Sequence, residues 1–378
     1  MVAVVTPSAG GGSSASSWLG LQGVMERPRT SALPSSGHPM PATNRQILLA
    51  SRPNGAAMLS DFRSVDTVLP PLGLGQVLVR NRFLSIDPYM RGRMNEGKSY
   101  AAPQPLDAVM IGQTTGTVVE SRSDAWKVGD LVVAMGGWQQ YTVFDGDDGK
   151  GLRRIDTTLV PMSVWLGAVG MPGVTAWYGV AKILETKPGH TVVVSAAAGA
   201  VGSVVGQLAK LRGARAVGIA GGPEKCRWVT ETLGFDACID HRAHADTRSL
   251  AAALKAACPD GIDGDFENVG GRVLDAVLTR MNAFGRVALC GMIAGYDGVP
   301  IPMELPQLLL ASRLRCEGFI VTEHAEVWPE ALRELAGLVA TGTLKYRESI
   351  VHGIDAAPQA LLDVLNGRNF GKQLVALD

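Results

Sequence analysis

The sequence predicts an α/β protein in which an open, doubly wound parallel sheet is joined to a second, β-rich domain. Three observations carry this expectation. From about 161 to 341, short apolar runs alternate with helical patterns, giving six candidate strands in series. From 46 to about 160, short β-branched runs are punctuated by Gly and Pro with little helical period between them. At 378 residues, the chain is also about two and a half times a typical domain.

Residues 1–39 hold eight Ser, six Gly and four Pro against one acidic residue, Glu26. Such a stretch buries too little apolar surface to offset its ordering entropy, so a disordered tail is expected. Its apolar patches are too short and broken for the centre of a signal peptide. In the β-rich part, 46–49, 76–80, 115–119 and 130–134 read as strands. The acidic turn Asp145-Gly146-Asp147-Asp148-Gly149 lacks a calcium loop's third liganding position and distal Glu, and reads as a solvated turn. In the alternating part, strands are expected at 191–195, 216–220, 237–240, 264–267, 286–290 and 314–321. Helices are expected at 201–211, 224–233 and 272–281. A last helix (357–365) and strand (372–377) are expected to return to the β-rich domain. The domains that follow are 40–166 with 342–378 for the β-rich part, and 167–341 for the alternating part.

Composition narrows the function. Lys+Arg and Asp+Glu number 35 each, so there is no basic excess to hold nucleic acid or anionic lipid by charge. Hydrophobic content of 46% with 19% charged residues suits a globular chain with a large core. Gly is 46 of 378, against a usual ~7%, which points to tight turns and close backbone approaches to a ligand. The five cysteines form no CxxC pair and are odd in number. No complete disulfide framework is expected, and a reduced cytoplasmic compartment fits. The uncharged runs 157–181 and 191–209 are broken by Pro and Gly, or switch from β-branched residues to Ala and Gly, so no membrane span is expected.

The sharpest motif begins at Val192-Val193-Val194-Ser195, where a hydrophobic strand runs into the small-residue turn Ala196-Ala197-Ala198-Gly199-Ala200. A helix opens after Val201, with Gly202 and Gly206 on it. Gly199 suits a tight turn, and small neighbours let backbone N–H groups approach a pyrophosphate at the helix N-terminus. The spacing departs from GxGxxG, so the strand–turn–helix context carries the reading of a dinucleotide site. The next strand ends Ala220-Gly221-Gly222-Pro223-Glu224-Lys225. Glycine occupies the tip, at Gly222, where a carboxylate would hold the ribose hydroxyls of NAD. Lys225 instead favours a 2′-phosphate, so NADP(H) is expected over NAD(H). Glu224 is read as a helix N-terminal acid pointing away.

Metal and hydrolase chemistry find no support in the sequence. Before Thr175 there is no cysteine, and the only histidine is His38; a catalytic zinc needs Cys or His ligands in the β-rich domain. His241-Arg242-Ala243-His244 has a metal-like spacing but reads as a solvated loop. No GxSxG elbow occurs. No metal is expected.

Several segments occur together in one order: Gly170-Met171-Pro172-Gly173-Val174-Thr175-Ala176-Trp177, the 196–206 turn, Glu267-Asn268-Val269-Gly270-Gly271, Phe284-Gly285-Arg286 and Cys290-Gly291-Met292-Ile293. With Asp87-Pro88-Tyr89-Met90-Arg91-Gly92-Arg93-Met94 and Asn369-Phe370-Gly371-Lys372, the chain from 44 to 378 resembles the zinc-independent branch of the medium-chain dehydrogenase/reductase superfamily. The groups it resembles are the prostaglandin reductase/leukotriene dehydrogenase, plant double-bond reductase and curcumin reductase enzymes. The resemblance implies a Rossmann NADP-binding domain and a GroES-like catalytic domain. It implies that Ala198, Gly199, Ala200 and Val201 hold the pyrophosphate and Lys225 the 2′-phosphate. Thr175, Asn268 and the loop Cys290, Gly291, Met292, Ile293, Ala294 and Tyr296 would line the cofactor. Phe319, Ile320 and Val321 would pack near the nicotinamide, Asn369 would hydrogen-bond the cofactor, and Tyr89 would face the substrate as the catalytic residue. Two departures stand out. His241 takes the place of a Tyr that relatives carry beside the 2′-phosphate, and Ala311 that of a Tyr which mammalian relatives place near the nicotinamide ribose.

The activity implied is NADPH-dependent reduction of the C=C bond of an α,β-unsaturated ketone or aldehyde, with no metal to polarise the carbonyl. The alternatives are an NADPH-dependent quinone reductase and a low-turnover NADPH-binding protein. The substrate pocket is expected to involve Tyr89, Trp138 and Tyr296. The stretch 317–321 suggests a sheet edge suited to pairing, so a homodimer is expected.

Overall fold

The computed structural model describes residues 43–146 and 151–377. The expected tail at 1–39 and most of the acidic turn lie outside them. Fifteen strands occur among the described residues. β1 (Thr43–Leu49) and β2 (Phe62–Val68) form an antiparallel pair. β3 (Gln76–Ile86), β4 (Thr114–Ser121), β5 (Leu131–Ala134), β6 (Tyr141–Asp145) and β7 (Leu152–Arg154) follow. Next come β8 (Thr191–Ser195), β9 (Arg215–Ala220), β10 (Ala237–Asp240), β11 (Ile262–Glu267), β12 (Met281–Leu289) and β13 (Arg315–Gly318). β14 (Glu348–His352) and β15 (Lys372–Ala376) complete the chain.

The six central strands form one parallel sheet in the order β10-β9-β8-β11-β12-β13. Renumbered within the sheet this is 3-2-1-4-5-6, the order in which two βαβ halves meet at a switch point between β8 and β11. β8 is Thr-Val-Val-Val-Ser with every residue buried, as a strand covered on both faces requires. The helix Gly202–Leu211 packs directly on this sheet, with Gly202 to Ala209 all buried. A Cβ on Gly202 would stand 2.4 Å from Ala196 O, and one on Gly206 would stand 1.9 Å from the Phe235 ring. Only glycine lets the helix come this close.

The second sheet runs β14-β15-β3-β4-β5-β7, with β6 also paired to β3. β15 lies antiparallel to β3, Gln373 opposite Ile86, so the end of the chain joins strands from its beginning. A core of Ile47, Leu84, Ile86, Met90 and Val375 fills one side of this sheet, with Leu361 from the helix Ala357–Leu365.

Two expectations are corrected here. The strand expected over 314–321 stops at Gly318, because Phe319 turns out of the sheet to pack at 5.5 Å from the Tyr178 ring and edge-on to Phe266. Trp138, expected at the substrate pocket, is fully buried and stacks on Phe62 at 5.5 Å, so it is core.

Candidate active site

A cleft of about 310 Å³ lies at the carboxyl ends of β8 and β9. The turn after β8 is its floor. Ala196 adopts a left-handed φ of 49°. The N–H of Gly199 then donates to Ala196 O at 2.9 Å, and Ser203 N–H donates to Gly199 O at 3.0 Å. Ala198, Gly199 and Ala200 line the cleft, whereas Val201 packs partly buried against the core. Gly371 N–H donates to Ala198 O at 3.0 Å, so the segment carrying Asn369 is pinned across the turn. Asn369 lines the cleft, its amide nitrogen donating to Gly371 O at 2.9 Å.

At one end of the cleft three basic side chains gather around the tip of β9. A Cβ on Gly221 would stand 2.9 Å from Arg242 Nε and 3.0 Å from His241 Nε2. Lys225, half-buried, donates to Gly367 O at 2.8 Å. Burial, and then the Arg242 charge, holds its ammonium below the usual lysine value. His241 is likewise held below the ordinary histidine value, by burial first and then by Arg242 and Arg272. Asp240 is the nearby carboxylate. Burial works to raise its pKa, but the N–H groups of Gly222 (2.8 Å) and Arg242 (3.0 Å) outweigh that and keep it low. Its charge is thus spent on the backbone, and Gly222 faces Asp240. Two cations, Lys225 and Arg242, with a neutral His241 that an arriving phosphate would help to protonate, suit a phosphate at the open glycine tip. Arg242 was not singled out in the sequence, where a lone exposed arginine beside His241 carries no signal.

The floor beyond the turn is organised by Glu267, fully buried at the end of β11. One carboxylate oxygen accepts from Ser195 Oγ (2.7 Å) and from the N–H groups of Val269 (2.5 Å) and Gly270 (2.9 Å). Asn268 returns the connection, its N–H donating to Ser195 Oγ at 2.7 Å and its amide to Ser195 O at 2.8 Å. The loop after β12 is laid over this corner. Cys290 and Gly291 donate to Glu267 O at 2.9 and 3.1 Å, Ile293 to Asn268 O at 3.2 Å, and Ala294 to Val269 O at 3.0 Å. Val269 and Ile293 line the cleft. Burial, with Glu267 adding to it, pushes the Cys290 thiol up to about 12, which keeps it protonated and unreactive. The Tyr296 phenol is raised by burial, with the N–H of Met292 working the other way.

The opposite wall comes from the second sheet. Asp87, Pro88 and Lys372 line the cleft. Tyr89, next in sequence after Pro88, is not among the residues that line the cleft; its hydroxyl is enclosed and makes no hydrogen bond among the described residues. Its phenol is driven up, by burial first and then by Asp87 and Tyr100. Arg93, Tyr100 and Cys290 influence the protonation of their neighbours in this cluster, Tyr296 among them, Arg93 being the one charged member. Asn268, Cys290, Gly291, Met292, Ala294 and Tyr296 do not line the cleft, and Thr175, Phe319, Ile320 and Val321 also stand off it. The Thr175 hydroxyl donates to Met171 O at 2.8 Å within the helix Met171–Tyr178. Phe319 packs on Tyr178 and edge-on to Phe266, and Trp328 donates to Val321 O at 3.1 Å. Among the described residues, no three His, Cys, Asp or Glu side chains come together in a way that could hold a metal ion.

Two family descriptions match the chain: "N-terminal domain of oxidoreductase" over 45–153, and "Zinc-binding dehydrogenase" over 200–337. NADPH-dependent curcumin reductase of Escherichia coli is 44% identical over 88% of this chain and 96% of its own length. Prostaglandin reductase 1 of Rattus norvegicus is 42% identical over 84% and 94%, and the NADP(+)-dependent 2-alkenal reductase of Nicotiana tabacum 39% over 88% and 97%. Among solved structures, CurA from Vibrio vulnificus in complex with NADPH superposes with a TM-score of 0.83 at 42% identity, over 88% of this chain and 99% of CurA.

Proposed function

The chain belongs to the zinc-independent reductase group of the medium-chain dehydrogenase/reductase superfamily, and from that premise we propose that it reduces the C=C bond of α,β-unsaturated ketones and aldehydes with NADPH. The observation that carries the cofactor choice is the cluster of Lys225, His241 and Arg242 around the glycine tip of β9. Ala198, Gly199 and Ala200 would take the pyrophosphate, and Asn369 the nicotinamide half. NADPH, when bound, supplies a hydride to the β-carbon of the enone.

The chain's own residues must then accommodate negative charge on the carbonyl oxygen. The Tyr89 hydroxyl, buried with no acceptor among the described residues, is the donor we assign to this. Because burial holds its phenol far above the ordinary value, it keeps its proton at Oη at any working pH and serves as a donor, never as a base. The substrate's α-carbon takes its proton from water, since Tyr89 holds its own. The Cys290 thiol takes no part, being held protonated.

The same reading takes the protein as metal-free, cytoplasmic and dimeric. Its cysteines are all unpaired among the described residues, and no helix there is long and apolar enough to cross a membrane. β13 is an edge strand, with Arg315, Cys316 and Gly318 exposed, and is available for pairing with a second copy. The test is steady-state oxidation of NADPH and of NADH against an enone panel and a quinone panel. Enone turnover with a strong NADPH preference supports the reading, and turnover confined to quinones overturns it.

A further inference from the structure

We propose that Arg93 shares with Tyr89 the carbonyl oxygen of the substrate, so that guanidinium and phenol together form the oxyanion subsite. This rests on the reductase reading above and adds a second donor to it. Tyr89 and Arg93 stand four residues apart in the helix Tyr89–Arg93, which puts both side chains on one face. Tyr89 Oη and Arg93 Nε are both buried, and neither has a hydrogen-bond partner among the described residues. Two donors on one face, each without an acceptor, are completed by a single ligand oxygen bearing negative charge.

Neighbouring charges leave the role to a ligand. Arg91, two residues earlier, is fully committed: its guanidinium meets Asp297 Oδ1 at 3.2 Å, Asn95 Oδ1 at 2.6 Å and Gly55 O at 2.5 Å. Arg93 forms no ion pair among the described residues. Asp87 is the carboxylate acting on Tyr89, but it is already bound by Lys372 at 2.8 Å and by the Ser85 hydroxyl. The Arg93 charge acts on both Tyr89 and Tyr100, and Tyr100 in turn interacts with Cys290 and Tyr296. The Arg93 charge thus reaches the Tyr89 hydroxyl from the same helix face, and its buried Nε keeps one donor free beside it.

The test compares wild type, Arg93→Met, Arg93→Lys, Tyr89→Phe and the Tyr89→Phe/Arg93→Met double variant, using the full chain, NADPH and an uncharged aliphatic enone. Arg93→Met is expected to lower kcat about a hundredfold, the usual effect of removing one oxyanion donor. KM, NADPH affinity and Tm should stay near wild type. Arg93→Lys should recover about tenfold of the loss, and the double variant should lose less than the product of the singles. A second readout needs no turnover. With NADP+ present, 4-nitrophenol bound to the wild type should ionise at lower pH than free, as a phenolate standing in for the enolate, and Arg93→Met should abolish that shift. An unchanged kcat in Arg93→Met with the uncharged enone would overturn the proposal. So would loss in Arg93→Met and Arg93→Lys alike accompanied by a fall in Tm, or a nitrophenol shift that survives Arg93→Met. Wild type that turns over no enone would instead overturn the reductase reading, and the nitrophenol result would still decide the role of Arg93.

Discussion

Lys372 Nζ lies 2.8 Å from Asp87 Oδ1 and 2.8 Å from Ile86 O, a buried ion pair that ties the final strand to the start of the Tyr89 helix. Both side chains are less than a tenth exposed, at 4% and 8%. Removing one partner leaves a buried charge uncompensated, which costs about 3–5 kcal/mol. Lys372→Met is expected to lose that much in urea unfolding, together with most activity, because both residues wall the cleft. A loss below about 1 kcal/mol would show that the pair is solvated in solution.

On the proposed reading, cofactor choice turns on the glycine tip, where a side chain on Gly221 would meet Arg242 and His241. Gly221→Asp would set a carboxylate among Lys225, His241 and Arg242, where it repels a 2′-phosphate and accepts from ribose hydroxyls. The expected outcome is a fall of more than about tenfold in the NADPH-over-NADH ratio of kcat/KM, with Lys225→Met moving the same way. An unchanged ratio in both variants would move the phosphate site elsewhere.

His241 gives the binding a proton signature. Burial and two arginines keep it neutral near pH 7 in the free protein, and an arriving phosphate dianion reverses that balance. NADPH binding should therefore take up more protons in the wild type than in His241→Asn. Calorimetry in buffers of different ionisation enthalpy measures the difference. Equal uptake would place His241 away from the phosphate.

Asp265 makes stability depend on pH. It lies on β11, fully buried with neither carboxylate oxygen hydrogen-bonded among the described residues. Burial, and then Glu267, pushes it well above the ordinary value. The folded chain keeps this proton where the unfolded chain has lost it, so stability falls as pH rises above the ordinary aspartate range. Asp265→Asn removes that dependence. Its Tm should sit near wild type at about pH 4 and several degrees above it at about pH 8. A pH-independent difference would contradict the assignment.

How much of this was legible in the sequence varies with the physics of each part. β8 and its helix were plain because a strand buried on both faces is an unbroken apolar run, and because Gly202 and Gly206 mark close packing. β2 carries exposed polar residues along much of its length, and β14 is a short strand of half-buried residues with Ile350 and His352 exposed, so neither shows a buried apolar run. The helix Thr247–Ala257 was missed although Asp246 caps it, accepting from Ser249 N–H at 2.7 Å. Phe319 extended an apolar run, and only the rings of Tyr178 and Phe266 show why it leaves the sheet. Trp138 looked like a pocket aromatic until its stacking on Phe62 was visible. In the site, Lys225 was legible from its place after a glycine strand tip. Arg242 and Arg93 were not, because an arginine reads as surface until the fold shows what it faces.

The most direct measurement is identification of the product formed from an enone and NADPH by the purified protein. The account predicts the saturated ketone, one per NADPH oxidised, with NADH a poor substitute. An allylic alcohol, or equal rates with the two cofactors, would contradict it.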